Sequence, residues 1–202
     1  LFRSNSKFKE NNVGGYIGYN GKWGYSHLLM SNFNLKNMQK TIVLAGATGN
    51  LGGQIAHELV SNGAKVKAIL RLESDSHKLD NLVSKGLEII HLDFNNPVAL
   101  QAACKGADCV VSALAGLSDV IFDTQKKLVD AAILAGVPRF IPSDFCTDFT
   151  PLVPGKNRNL DTRRNFQDYI NTQNIKTTSI FNGAFMELIT GAMPLILYTK
   201  NK

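Results

Sequence analysis

The chain has 202 residues, 44% of them hydrophobic and 19% charged, the composition of an ordinary globular sequence long enough for one domain with a substantial core. No apolar run approaches the ~20 residues that a membrane-spanning helix needs. The net charge of +6 does not make a nucleic-acid-binding face: residues 1–40 hold six basic residues and one acid, Glu10, whereas the remainder holds 16 basic and 15 acidic residues. No element concentrates the lysines and arginines, as a DNA-binding face requires. Cys104, Cys109 and Cys146 are an odd number without metal-ligand spacing, and the four histidines are scattered singly. No metal site is expected, and Cys104 and Cys109, at a helix end and a strand start, read as buried thiols of a reducing cytoplasm.

Residues 1–37 are rich in Asn, Gly, Ser and Tyr, show neither hydrophobic period, and begin with Leu. They are expected to be a disordered or non-native extension. The domain is expected to span 38–202, with Met38 as its initiator. Ile42-Val43-Leu44 is a continuous apolar run, as in a strand buried on both faces of a parallel sheet. Gly46-x-x-Gly49-x-x-Gly52 follows at once, and then Gln54–Asn62, whose apolar residues Ile55, Ala56, Leu59 and Val60 fall on one helical face. A glycine-rich turn between a buried strand and a helix suits a dinucleotide. Absent Cβ atoms let a pyrophosphate approach the backbone, and first-turn N–H groups and the helix dipole meet its charge.

From there strands and helices alternate. Strands are predicted at Lys65–Leu70, Leu87–Leu92, Asp108–Ala113, Arg139–Pro142 and Thr177–Phe181, with a helix at about Asp161–Thr172. Gly63, Gly86, Gly106 and Gly136 stand where the intervening helices end, since glycine accepts the left-handed conformation there. Asn96-Pro97 reads as an N-cap followed by proline at the first helical position. Ser118 is expected to cap a helix over Val120–Leu134. Alternating units of this kind with right-handed crossovers build a doubly wound parallel sheet, the α/β Rossmann architecture.

The chemistry gathers at the predicted carboxyl ends of the strands, where ligands of open α/β sheets bind. Gly46, Thr48, Gly49, Asn50, Leu51 and Gly52 are assigned to the pyrophosphate. Arg71 ends the second strand, where a guanidinium suits the 2′-phosphate of NADP; Glu73 is the competing residue and would favour NAD. NADP(H) is favoured over NAD(H). Asp93 can accept from an adenine amino group with Phe94 flanking the ring, or Asp93 can simply satisfy loop amides. Ala113 and Ala115 are small enough for ribose and pyrophosphate to lie against the backbone. Ser143 and Asp144 place a hydroxyl and a carboxylate at the crevice mouth, facing a small-molecule substrate or capping a turn.

Taken together, Gly46-Ala47-Thr48-Gly49-Asn50-Leu51-Gly52, Arg71, Asp93-Phe94, Gly136 through Phe145 and Arg163-Arg164 resemble the NmrA-like, isoflavone-reductase-like family of atypical short-chain dehydrogenases. The resemblance runs from about Met38 to the end. It implies a Rossmann domain binding NADP(H) and, in many members, reduction of a small aromatic or unsaturated substrate by hydride transfer. Other members are non-catalytic regulators that bind the dinucleotide and a protein partner, and a homodimer is also open. Reductases of this branch carry a lysine shortly before the Arg-Arg pair. That position falls on Asn159 here, with Lys156 three residues earlier, so Lys156 and Ser143 are taken as the catalytic candidates. An epimerase-like enzyme of the same fold is disfavoured by the missing Tyr-x-x-x-Lys pair: Tyr169 is followed four residues on by Gln173. The resemblance further implies a substrate-binding C-terminal portion that looks truncated, which would leave the apolar 185–197 stretch exposed.

Overall fold

The computed structural model of the protein describes residues 10–11, 14–18 and 39–185. Two short strands, β1 (Glu10–Asn11) and β2 (Gly14–Gly18), precede a regular alternation. It runs β3 (Thr41–Ala45), α1 (Asn50–Ser61), β4 (Lys65–Leu70), α2 (Asp80–Val83), β5 (Glu88–His91) and α3 (Pro97–Cys104). It continues with β6 (Cys109–Ser112), α4 (Gln125–Leu134), β7 (Arg139–Ile141), α5 (Arg158–Asn171) and β8 (Lys176–Phe181). The strands form one sheet in the order β1-β2-β8-β7-β6-β3-β4-β5, parallel throughout except for β1 against β2.

Side-chain alternation along the strands sorts the core into two layers. Ile42 and Leu44 join Val66, Ala68 and Val111 in a cluster closed by Ile55, Ala56 and Leu59 of α1 and by Leu79 and Leu82 around α2. Val43 and Ala45 face the other way, with Ile69, Val110 and Phe140, against Leu100 of α3, Leu128 and Val129 of α4, and Phe166 and Ile170 of α5. Burial on both faces is why β3 reads as a continuous apolar run. The fold is the expected doubly wound Rossmann sheet. The chain steps outward from β3 through β4 to β5. Then α3 carries it back across to β6, on the other flank of β3, and β7 and β8 follow outward. The strand order therefore reverses between β3 and β6, and it is outside the carboxyl ends of strands at such a reversal that the ligand crevice of open α/β sheets lies.

Several boundaries differ from the expectation. Helix α1 begins at Asn50 with Gly49 as its N-cap, four residues before the predicted start, so the second half of the glycine turn is already helical. The low helix propensity of Gly52 and Gly53 hides this, yet only residues without side chains let the helix press this close to the strand. Ser118 does not cap: its backbone is helical and its hydroxyl makes no cap bond, because Leu117 O already accepts from Val120 N and Ile121 N. Asp119–Thr124 then forms a turn of π-helix before α4. The last helix starts at Arg158, capped by Asn157, rather than at Asp161. By contrast Asn96 caps α3 as expected, its Oδ1 accepting from Ala99 N at 3.1 Å. Strands β1 and β2 belong to the segment 1–37 that shows no hydrophobic period, and β2 lies along β8 from Gly14 opposite Thr177 to Gly18 opposite Phe181. The apolar stretch expected to be exposed lies, from residue 186 on, outside the described residues.

Candidate functional site

The turn from β3 into α1 is built around its glycines, and they do different things. Gly46 has φ +88°, and a Cβ there would lie 2.5 Å from the carbonyl oxygen of Ala113, at the end of neighbouring β6. A Cβ on Gly52 would lie 2.0 Å from Gly46 O. Both positions are therefore closed by backbone, and both glycines are demanded by packing of turn, strand and helix. Gly49 differs. Its φ of −75° suits any residue, its N–H closes the turn on Gly46 O at 3.0 Å, and a Cβ would meet only Gly46 O at 3.3 Å. Space beyond Gly49 is open. The first turn of α1 has no side-chain cap and no acidic residue, so its orphan N–H groups and the positive end of the dipole are left for an external anion.

A cavity of about 770 Å³ adjoins this turn. Thr48, Gly49 and Asn50 line one side, Gln54, His57 and Glu58 continue along α1, and Lys78, Asn81 and Leu82 form the opposite wall. Of the residues singled out in the sequence, Thr48, Gly49 and Asn50 are thus brought together. Leu51 is half-buried and packs on the α1-side core. Arg71 lies exposed just past the end of β4, outside the cavity lining, and Glu73 is exposed two residues on. Asp93 is exposed past β5, with its Oδ1 accepting from Asn95 N at 2.8 Å and Asn95 Nδ2 at 3.0 Å. Phe94, read as a ring beside adenine, is only 9% exposed and belongs to the core cluster of α3 and α4.

On the other flank, Ala113 is half-buried and Ala115 exposed in the segment after β6. Ala113 N donates to Ala45 O at 2.8 Å, which carries the β3–β6 pairing to the crevice lip. Ser143 follows β7 and is 5% exposed. Its hydroxyl donates to Leu114 O at 2.6 Å, its N–H donates to Gln125 Oε1 at 2.9 Å, and its carbonyl accepts from Arg163 Nε at 3.2 Å. Asp144 is 1% exposed; its Oδ2 accepts from Ser179 Oγ at 2.7 Å, while Oδ1 is buried without a partner. Burial pushes the Asp144 carboxyl up to about 6, against the opposing pull of the Ser179 hydrogen bond and the Arg163 guanidinium. Burial likewise raises the Cys146 thiol to about 11, which makes it a poor nucleophile.

The start of α5 is tied to this region by the arginine pair. Arg163 joins Ser143 O to Asn159 O, the latter at 3.1 Å through Nη1. Arg164 Nη2 donates to Phe149 O and, at 2.8 Å, to Leu152 O, which holds the loop ahead of the helix. Lys156 is exposed on that loop, between Gly155, whose N–H is accepted by the Asp161 carboxylate at 3.1 Å, and the cap residue Asn157. It stands outside the helix, which begins at Arg158. Sequence reasoning missed Lys78, Gln125 and Ser179. Lys78 carried a faint signal, a basic residue soon after Arg71; a lone glutamine and a strand serine carried none.

Comparison with known proteins agrees with this architecture. The model of the NmrA-like family matches residues 38–202, and the chain belongs to that family. Pinoresinol reductase 2 of Arabidopsis thaliana is 31% identical over 182 residues, 81% of this chain and 56% of the relative. The NmrA-like family domain-containing oxidoreductase FrzB of Cladobotryum sp is 36% identical over 111 residues, half of this chain and 32% of the relative. Among solved structures, AtPrR2 with NADP+ and (+)pinoresinol superimposes with a TM-score of 0.68 at 26% identity, covering 79% of this chain and 55% of that one. An isoflavone reductase shares the fold at a TM-score of 0.67 and 23% identity. The chain spans between about a third and somewhat over half of the length of the curated relatives it matches.

Proposed function

We propose that this chain is the dinucleotide-binding part of an NADP(H)-dependent reductase that acts on a small aromatic or unsaturated molecule. The observation that carries the reading is the turn after β3. Two glycines are closed by backbone, while the third faces open space beside an uncapped, acid-free helix N-terminus and a cavity. That cradle fits a pyrophosphate, and a Cβ branch at Gly49 would fill it. Reductases among the relatives, and a structural neighbour solved with NADP+, support the same reading. Arg71 and Lys78, the cation at the end of β4 and the one on the cavity wall, are assigned to the 2′-phosphate, which favours NADP(H) over NAD(H). Asp93 is placed at the adenosine side, and Ala113, Ala115 and Ser143 beyond the pyrophosphate. Bound there, nicotinamide would supply the hydride. Lys156 is assigned as the proton donor on the substrate side, its backbone pinned at Gly155 and Asn157 and its side chain free to reach. The setting proposed is the cytoplasm.

One observation favours the alternative, a non-catalytic sensor whose dinucleotide occupancy governs a protein partner. The resemblance to the family's reductases implies a lysine at the position of Asn159, and the Ser143 hydroxyl is already bonded to Leu114 O. The two readings separate by experiment. NADPH oxidation, followed by nicotinamide absorbance with a panel of quinones, aromatic aldehydes and lignan-type ethers, should show turnover. Lys156→Met should lower that turnover about a hundredfold with cofactor binding unchanged. Tight NADPH binding without turnover on any acceptor selects the sensor. Arg71→Ala should weaken NADPH binding about tenfold and NADH binding far less; equal losses would overturn the 2′-phosphate assignment.

A further inference from the structure

Gln125 is 0% exposed, the one amide side chain among the fully buried polar residues of the described chain. It stands where the π-turn Asp119–Thr124 passes into α4. Both ends of its amide are used: Nε2 donates to Ile121 O at 2.6 Å, and Oε1 accepts from Ser143 N at 2.9 Å. Ser143 in turn closes onto Leu114 O, so Gln125 joins the segments following β6 and β7 through one residue. Those segments form the flank of the crevice away from β4 and β5, because β6 and β7 lie on the opposite side of β3. A π-turn widens the helix and makes room for such an inward side chain, and π-turns recur at functional sites.

Resting on the dinucleotide reading above, we propose that Gln125 is a positioning residue: it sets Ser143 and the β6–β7 lip for the nicotinamide half of the cofactor. The adenosine half, over Arg71 and Lys78 on the β4 side, is independent of it. An alternative is that Gln125 merely satisfies a buried amide for stability. The two ideas differ in what they do to the two halves of the ligand. A stability role weakens every ligand alike or none, whereas a positioning role weakens only ligands that reach past the pyrophosphate.

The test measures the affinity of the full chain for NADPH and for adenosine 2′,5′-bisphosphate, which carries the adenosine half alone, by calorimetry. Gln125→Met, similar in length and without either hydrogen bond, should raise the Kd for NADPH about tenfold and leave that for the bisphosphate within about twofold. Gln125→Ala leaves room for water at both backbone groups and should shift the ratio in the same direction, which keeps the test open if the methionine variant does not fold. Combining Gln125→Met with Ser143→Ala should cost no more than the larger single effect, since both act through one lip. An unchanged ratio in both Gln125 variants overturns the positioning role and leaves the dinucleotide reading standing. A wild-type chain that binds neither ligand overturns that reading and this inference with it.

Discussion

Gly46 and Gly49 are three residues apart and chemically identical, yet the structure sets them opposite tasks. Gly46 has a positive φ and no room for a Cβ beneath the Ala113 carbonyl. Gly46→Ala should therefore destabilise the fold by about 2 kcal/mol, the usual size of a strained backbone with a steric conflict, measured by denaturant unfolding. At Gly49 φ is ordinary and an added Cβ meets only Gly46 O at 3.3 Å, a tight contact that a shift of a few tenths of an ångström relieves. A changed N-cap costs about 1 kcal/mol. Gly49→Val should fold but lose dinucleotide binding, and an unaltered titration would remove the pyrophosphate cradle from Gly49. Asp144 offers a different reading. Its folded-state carboxyl stands at about 6 against an ordinary value of 3.8, so between those values the folded protein holds a proton that the unfolded chain releases. Its contribution to stability is present below about pH 4 and declines as pH rises towards 6. Asp144→Asn should flatten the fall in unfolding free energy across that window; an identical slope would show that the carboxyl titrates normally.

At the scale of elements, the junction of the β7 end with α5 is the least obvious from the sequence. Arg163 and Arg164 are adjacent on a helix, about 100° apart around its axis, and so reach different partners. Arg163 reaches back to Ser143, and Arg164 gathers the carbonyls of Phe149, Thr150 and Leu152. Charged donors on backbone carbonyls are among the stronger hydrogen bonds. Arg164→Met should release the loop that carries Lys156, read as faster amide exchange over residues 149–157 with helix α5 still protected. Exchange unchanged in that loop would mean that the Gly155–Asp161 bond and the Asn157 cap hold it unaided. Phe149, packed edge-on to Phe181 with ring centroids 5.1 Å apart, anchors the loop's other end.

For the molecule as a whole, the two core layers meet on a sheet whose strand order reverses beside the glycine turn, so the proposed ligand site adjoins β3, the strand at the packing centre. Ligand binding is thus linked to the stability of the entire fold. NADPH at a hundred times its Kd should add about 2.7 kcal/mol to the unfolding free energy, seen as a raised Tm. NADH at the same concentration should add much less if Arg71 and Lys78 hold the 2′-phosphate. A Tm indifferent to both nucleotides would argue against binding anywhere on the folded chain.

Local sequence alone was enough for the alternation of strands and helices, the buried character of β3, the Asn96 cap, and the glycines with positive φ after the helices, because each depends on residues within one or two turns. It also singled out Gly49, which lines the cavity beside its chain neighbours Thr48 and Asn50. What it could not supply is whatever depends on contacts across the sheet. The glycine turn passes into helix without a break because Gly52 lies against Gly46, and Gly46 in turn against Ala113. Ser143 bonds to Leu114 and Gln125 rather than facing solvent, and Phe94 turns into the core. Those partners lie 18 to 29 residues from Ser143, and only strand pairing, which a local pattern cannot encode, brings them within hydrogen-bonding distance.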